Sequence, residues 1–474
     1  MSVEGCAATD EDLRQLVNAS IDRISQNTDG ENLGDTLSCQ NIRVAKVHLD
    51  GLRRTKKTHF NGRSMFNDVL RARNVQDLAE GSVTLREKLK SVGVFKDVAI
   101  TVDASDRQPL FPDVKCVDLV LDCKESNMLK ASINMMAGSN ELSGQTVLKL
   151  ANVLGRGEGI SFGYSRSTAN IGSYSLDLTK LLSHDFNTNL KVALIKAYEP
   201  SYISNYDLRN CGIIAEVSRP HNKWCSTLRY GGMWRNFHCP SWETPFDIRM
   251  DSGHSLISSL MYTLAYSSRV GAGSTSIAPG LNMQNKVELA GNVLGGDHNF
   301  LRLETKLKKI VNLTSWAKVS LSLNAGHVMS LNDDKPPSIV DRFFLGGPGS
   351  VRGFMMGGLG PHRNNCAFGG ATYWSSGLSI FTRLPFRPGK GSFGDQFWLH
   401  AFANTGNLFE KFDFSEPDFV NRLGIGSRYT IGAGIHWRFL NYASIELNYC
   451  IPMSTQPSDR AQPGVQLGVS LDVL

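Results

Sequence analysis

The run Leu345-Gly346-Gly347-Pro348-Gly349-Ser350-Val351-Arg352-Gly353-Phe354 sets four glycines around a single arginine. These residue types suit a backbone that must pack closely inside an enclosure, with Arg352 placed against an acceptor on the surrounding wall. The run is not a phosphate cradle: the GxxxxGK pattern followed by Ser or Thr is absent. GxGxxG occurs once, at Gly389–Gly394, and GxSxG once, at Gly159–Gly163; both stand in the stretch after Lys124 where no helical period follows a strand, so nucleotide and hydrolase chemistry have no anchor. Cys211, Cys225 and Cys239 are spaced fourteen apart near His221 and His238, but no pair has the spacing of a zinc-finger ligand set. The nine cysteines are odd in number and contain no CxxC, which predicts reduced thiols rather than a disulfide framework. Scattered Ser, His and Asp residues assemble no catalytic group, so neither enzyme activity, a metal nor a cofactor is expected.

A loop of this kind needs a wall around it. After Lys124 the hydrophobic pattern has a period of two. Ile431, Ala433, Ile435, Trp437 and Phe439 alternate with Thr430, Gly432, Gly434, His436 and Arg438. The same alternation runs through Val319–Ala325, Ala443–Ile451 and Val465–Val473. Eleven such segments precede Pro337, centred near residues 132, 149, 163, 177, 192, 213, 229, 262, 287, 305 and 322. Five follow, near 378, 402, 433, 447 and 469. Sixteen strands over residues 126–474 leave about 22 residues per strand and connection, which suits membrane strands of about 9–11 residues.

Composition agrees with this reading. Charged residues are 20% of the 474, and Gly numbers 45. No uninterrupted apolar run is long enough for a membrane-crossing helix. In hydrocarbon a closed barrel is the helix-free way to pair every backbone group. The expected fold is mainly β: a 16-stranded antiparallel transmembrane β-barrel over residues 126–474, with the Arg352 run in a long connection at about 336–371. A net charge of +6 without basic runs excludes a nucleic-acid footprint. Residues 1–40 carry eight acids against two bases and fit neither a secretory signal nor a transit peptide, so a flexible acidic extension is expected there.

Residues 41–125 read differently, as strand, helix, helix, strand, strand. Ile42, Val44, Val47 and Leu49 open the unit. Ser82 is the expected cap of a helix carrying Leu85, Leu89 and Val92 and stopped by Gly93. This order, with the run Leu89–Val98, resembles a POTRA (polypeptide-transport-associated) domain.

The Gly347/Val351-Arg352-Gly353-Phe354 run resembles the conserved internal loop of the outer-membrane assembly superfamily represented by bacterial BamA. In that family the receiving strand carries F-x-D-x-G; here Phe402, Asn404 and Gly406 stand in that pattern, with Asn for Asp. The Asn can accept a hydrogen bond from Arg352 but supplies no charge. The single POTRA-like unit and the Asn variant are similar to the mitochondrial branch, the barrel subunit of the sorting and assembly machinery. The terminal residues Gln466, Gly468, Leu471 and Val473 resemble the β-signal of mitochondrial barrel proteins.

The resemblance implies an insertase that folds β-barrel precursors into the mitochondrial outer membrane. Its lateral gate would lie between a first strand bearing Leu129, Ala131, Ile133, Met135 and Ala137 and the terminal strand bearing Gln466, Gly468, Leu471 and Val473. It implies three kinds of partner: β-barrel precursors, the lipid bilayer, and accessory subunits of the complex on the cytosolic face. The POTRA-like unit is expected in the intermembrane space. A polypeptide- or solute-conducting outer-membrane pore is the alternative.

Overall fold

The alternation and helical periods above emerge as elements in a computed structural model of the chain. It describes residues 42–56, 66–91, 93–105, 115–138, 141–168, 171–182, 188–268, 279–314, 316–331, 336–384, 396–412, 419–439 and 443–471. The expected acidic extension and Val473 lie outside the described residues.

In the first unit β1 (Ile42–Asp50) is followed by α1 (Asn67–Leu70), α2 (Val75–Ser91), β2 (Phe95–Ala104) and β3 (Lys115–Glu125). The strands form a sheet ordered β1-β3-β2, with β3 parallel to β1 and antiparallel to β2. Inside β1 the register slips between Val44 and Lys46, a bulge that explains why Ile42 and Val44 are followed by Val47 and Leu49 in one apolar series. Ser82 does not cap α2, which starts seven residues earlier. It is fully buried mid-helix, because Val75, Leu78, Ala79, Ser82, Leu85 and Leu89 recur at helical spacing on the face packed against Val98, Leu119 and Leu121.

The same unit holds a polar lock. The Glu125 carboxylate accepts bonds from the backbone N–H of Arg53, Arg54 and Thr55, from the Thr55 hydroxyl at 2.7 Å and from Arg54 Nε at 3.2 Å. Asn152 Nδ2 in turn donates to Thr55 Oγ1 at 2.7 Å. Burial alone would raise the carboxyl's pKa, but the bonds from Thr55 and Arg54 outweigh it and hold the pKa down at about 2. A depressed carboxylate pKa contributes stability that is complete above the unfolded value of about 4.3 and disappears as pH falls through about 2. Glu125→Gln is therefore expected to cost this unit about 2–3 kcal/mol at neutral pH and to abolish its loss of stability between those two values. Thermal unfolding of the full chain in detergent, followed against pH, checks this.

The remaining strands reach 16 residues and alternate without helices between most of them. They are β4 (Leu129–Gly138), β5 (Glu141–Ala151), β6 (Gly159–Ser167), β7 (Gly172–Leu182), β8 (Thr188–Ser201), β9 (Tyr206–His221), β10 (Trp224–His238), β11 (Gly253–Ser267), β12 (Gly280–Ala290), β13 (Phe300–Asn312) and β14 (Ala317–Ser330). After a two-residue hairpin, β15 (His362–Arg363) and β16 (Cys366–Ala367), come β17 (Thr372–Arg383), β18 (Phe397–Phe409), β19 (Arg428–Phe439), β20 (Ala443–Ser454) and β21 (Gly464–Leu471). Apart from the hairpin, these strands form one 16-stranded sheet running in chain order from β4 to β21. Every expected strand centre falls inside one of them. Pairing is antiparallel throughout the ladders from β9 to β21. The edges are β4 and β21, and no ladder joins them among the described residues.

One face of the sheet is apolar and exposed, as lipid requires. On β10 the outward positions include Trp224, Leu228, Tyr230 and Trp234. Trp224 meets Tyr266 of β11 with ring centroids 4.7 Å apart. Ten residues between Trp224 and Trp234 span about 33 Å of strand, or about 25 Å along the normal of a strand tilted by about 40°, the height of an outer-membrane apolar band with its aromatic girdles.

Candidate functional site

The 36 residues from Pro336 to Ala371 connect β14 to β17 and turn to the other face of the sheet. Phe343, Leu345, Val351, Phe354 and Leu359 bury themselves in one cluster with Ile257 of β11, Phe300 of β13, Val328 of β14 and Tyr373 of β17. Polar anchors fix the loop's start. Buried Asp341 accepts from Arg235 Nη1 of β10 at 2.9 Å, and the Ser338 hydroxyl donates to Asp251 at 2.9 Å. The Arg302 guanidinium stacks over Phe343, 4.5 Å from its centroid. The loop is thus held by walls from β10 round to β21.

Arg352 receives its charge partner from an unexpected strand. Its Nη2 donates to Glu446 Oε2 of β20 at 2.7 Å, with both side chains about one-sixth exposed, and its guanidinium lies 4.8 Å from the Phe402 ring centroid. The receiving strand β18 supplies neutral contacts instead. Phe402, Asn404 and Gly406 alternate onto its inner face, and Asn404 Nδ2 reaches Ser350 O at 3.5 Å. A Cβ at Gly406 would stand 3.0 Å from Val351 Cγ2, so the third residue of the pattern makes room for the loop. A full ion pair therefore exists with Asn at position 404, because the acid stands two strands away. Glu446 is the one acid in the alternating run Ala443–Ile451, and an acid on the inner face of such a run is the signal that identifies it.

The terminal strand contacts the same loop. Gln466, buried on β21, accepts from Gly353 N at 3.1 Å and donates through Nε2 to Phe354 O at 2.9 Å, so one side-chain amide satisfies two loop backbone groups. Two positions on, a Cβ at Gly468 would lie 2.8 Å from Pro348 Cβ; only glycine lets loop and strand meet there. Gly353 has φ +82°, a conformation that glycine adopts without penalty. The turn between β20 and β21 completes the clamp. Gln462 N donates to Gly353 O at 2.8 Å, Met355 N to Arg460 O at 3.1 Å, Arg460 N to Gly358 O at 2.7 Å, and Gly360 N to Asp459 Oδ1 at 2.9 Å. Asp459 is itself fully buried against Arg428 at 2.9 Å.

The structure thus brings Gly347, Val351, Arg352, Gly353 and Phe354 together with Phe402, Asn404, Gly406, Gln466 and Gly468. Leu129, Ala131, Ile133, Met135 and Ala137 all lie on β4, where Leu129 is 60% and Ile133 72% exposed. Leu471 is the last residue of β21.

Comparisons with known proteins agree with this architecture. Residues 152–472 match the Omp85 superfamily domain. The chain is 38% identical over 446 residues to the sorting and assembly machinery component 50 homolog of Xenopus tropicalis, covering 93% of this chain and 92% of the relative. The human homolog is 37% identical over 443 residues, with the same coverage of both chains. Among solved structures, BamA from Haemophilus ducreyi lacking POTRA domains 1–3 superposes with a TM-score of 0.72 at 17% identity, over 91% of this chain and 85% of that one. CdiB from Acinetobacter baumannii superposes with a TM-score of 0.52 at 12% identity, over 99% of this chain and 88% of that one. Sequence and fold together place the chain in the Omp85 superfamily, in the family of the sorting and assembly machinery component 50 homologs.

Proposed function

We propose that this chain inserts β-barrel precursors into the mitochondrial outer membrane through a lateral gate between β4 and β21, recognising the β-signal of each precursor. The observation that carries this reading is that the 16-stranded sheet ends in two strand edges with no ladder between them among the described residues. A precursor strand cannot enter hydrocarbon alone, because each unpaired backbone group there costs several kcal/mol. An exposed strand edge offers it a full set of partners by β-augmentation. In this reading the β4 edge receives the signal strand, and later strands grow at the opened seam. No bond is made or broken.

The internal loop keeps the inner wall beside the seam in one shape through Arg352 and Gln466. A free pore has no use for a loop gripped at so many points, which weighs against the conducting alternative. Residues 41–125 would act as a POTRA-like domain in the intermembrane space, residues 1–40 as an acidic extension, and accessory subunits of the complex would sit on the cytosolic face.

The test is crosslinking from single cysteines at positions 129–137, in a chain whose own nine cysteines are replaced by alanine, to a barrel precursor arrested during import. Crosslinks that need the precursor's β-signal and repeat at every second position are expected. Their absence from a folded, membrane-integrated chain would overturn the reading.

A further inference from the structure

The outer face of the sheet is not uniform along the rim at which β8, β10 and β12 end. On six neighbouring strands, β6 to β11, side chains of this rim enclose a groove of about 500 Å³, within the range of sites that hold small ligands. Its walls are aromatic. Tyr164 and Tyr174 touch with ring centroids 5.0 Å apart on one side, and Tyr198 and Trp234 stand on the other. The small Gly172 and Cys211 leave the groove open between them.

Three cations line it. Arg166 and Lys196 are exposed, and the Arg209 guanidinium lies 5.6 Å from the Tyr198 ring centroid. His254, which accepts from Trp234 Nε1 at 3.3 Å, closes one end. Among the outward positions of β6 to β11, Asp207, two positions from Arg209, is the one acid and leaves an excess of positive charge.

That these residues face outward follows from the ladders. Arg209 stands opposite Asn236, and Cys211 opposite Trp234, whereas the intervening Arg235 bonds the internal loop on the inner face. Below the groove the same strands continue outward as Phe162, Leu176, Leu194, Ile213 and Leu256, all exposed. A polar, cationic cleft therefore stands directly above an apolar wall. The far side of the sheet lacks this arrangement: the outward positions of β17 to β21, such as Trp374, Ile380, Tyr429, Ile435, Leu447 and Leu467, include no Lys or Arg.

We infer that the groove holds one anionic phospholipid, its phosphate diester among Arg166, Lys196 and Arg209 and its acyl chains on the apolar wall beneath. Aromatic side chains alone make an ordinary interfacial girdle. Three cations gathered on adjacent strands beside a cavity select charge, since each basic side chain near a membrane surface attracts anionic headgroups. Arginine adds geometry, because its planar fork matches phosphate oxygens.

The test uses the full chain in nanodiscs of phosphatidylcholine, with phosphatidylinositol as the anionic probe. Either lipid carries brominated acyl chains, which quench nearby tryptophan. The difference between the parent and Trp234→Phe isolates the groove's signal. Brominated phosphatidylinositol is expected to quench it with about tenfold preference over brominated phosphatidylcholine. The triple variant R166Q/K196Q/R209Q is expected to lose that preference while keeping its β-sheet circular dichroism. Should the triple variant fail to fold, K196Q alone, at an exposed side chain, is expected to reduce the preference about twofold, one cation's share of the tenfold total. Equal quenching by the two lipids would show an ordinary lipid annulus. Relief by millimolar inorganic phosphate would show a site for free anion, and an unchanged preference in the folded variants would place the lipid elsewhere; each of these results overturns the inference.

Discussion

Replacing Arg352 with alanine is expected to leave most of the chain unable to complete its barrel, and the part that does assemble to unfold at lower temperature. The reason is the carboxylate left behind. Glu446 accepts the Arg352 guanidinium at 2.7 Å, and both side chains are about one-sixth exposed. Removing one member of such a pair strands a buried charge at a cost of about 3–5 kcal/mol. That is a large part of the stability of a typical domain, about 5–15 kcal/mol. The guanidinium also gives up its stacking on Phe402.

Further variants separate charge from shape. Arg352→Lys keeps the charge but loses the planar stack, and is expected to recover assembly only in part. The double variant Arg352→Met/Glu446→Leu removes both charges and is expected to restore heat resistance, because apolar replacements of a buried pair are commonly neutral or stabilising. Its insertion of client precursors should stay low, since the loop then has no charged fixture beside the seam. Heat-dependent migration of the folded chain on gels, paired with an import assay, reads both effects. Normal insertion by the double variant would show that the pair only holds the barrel together.

Locking β4 to β21 is expected to abolish insertion completely and reversibly. Ala131, exposed on β4, and Leu467, 54% exposed on β21, are suitable positions for an engineered disulfide on the outer face. A disulfide forms only where the Cα atoms approach within about 4.4–6.8 Å, so a small panel pairing positions 129, 131 and 133 with 465 and 467 finds the register of the closed seam by which pair oxidises. The oxidised chain should bind precursor without releasing it into the membrane, and reductant should restore insertion to that of the reduced chain. Full insertion by an oxidised, crosslinked chain would exclude passage through this seam.

Much of this architecture is legible in the sequence for a simple physical reason. A strand with lipid on one side and a polar interior on the other must alternate, and sixteen centres read from alternation all fall within observed strands. The loop was legible for a different reason, since glycines crowded about one arginine have few structural uses. What alternation cannot convey is register. It places Glu446 on the inner face without saying that this face meets Arg352, which depends on how far each hairpin has slid relative to its neighbours. The same gap hides Gln466, whose partner Gly353 lies 113 positions away. In the first unit Ser82 has the residue type of a cap, yet it sits on the core face of α2 behind Val75, Leu78 and Ala79. A small hydroxyl residue carries no local signal that separates the two places. The bulge at Val44 and Lys46 shows only as a broken alternation.

The grip of Gln466 on the loop also orders events in time. Gly353 N–H and Phe354 C=O obtain their side-chain partner from the last strand of the sheet, and Arg352 obtains its own from the strand before it, 94 positions downstream. Contacts this distant close late in folding, after the loop-closure entropy of the intervening strands has been lost. Until the final hairpin is in place, the loop's backbone stands beside an incomplete wall with donors and acceptors unmet. The chain therefore carries an internal test of its own completion: a barrel that stops short of its terminal strand cannot seat its loop.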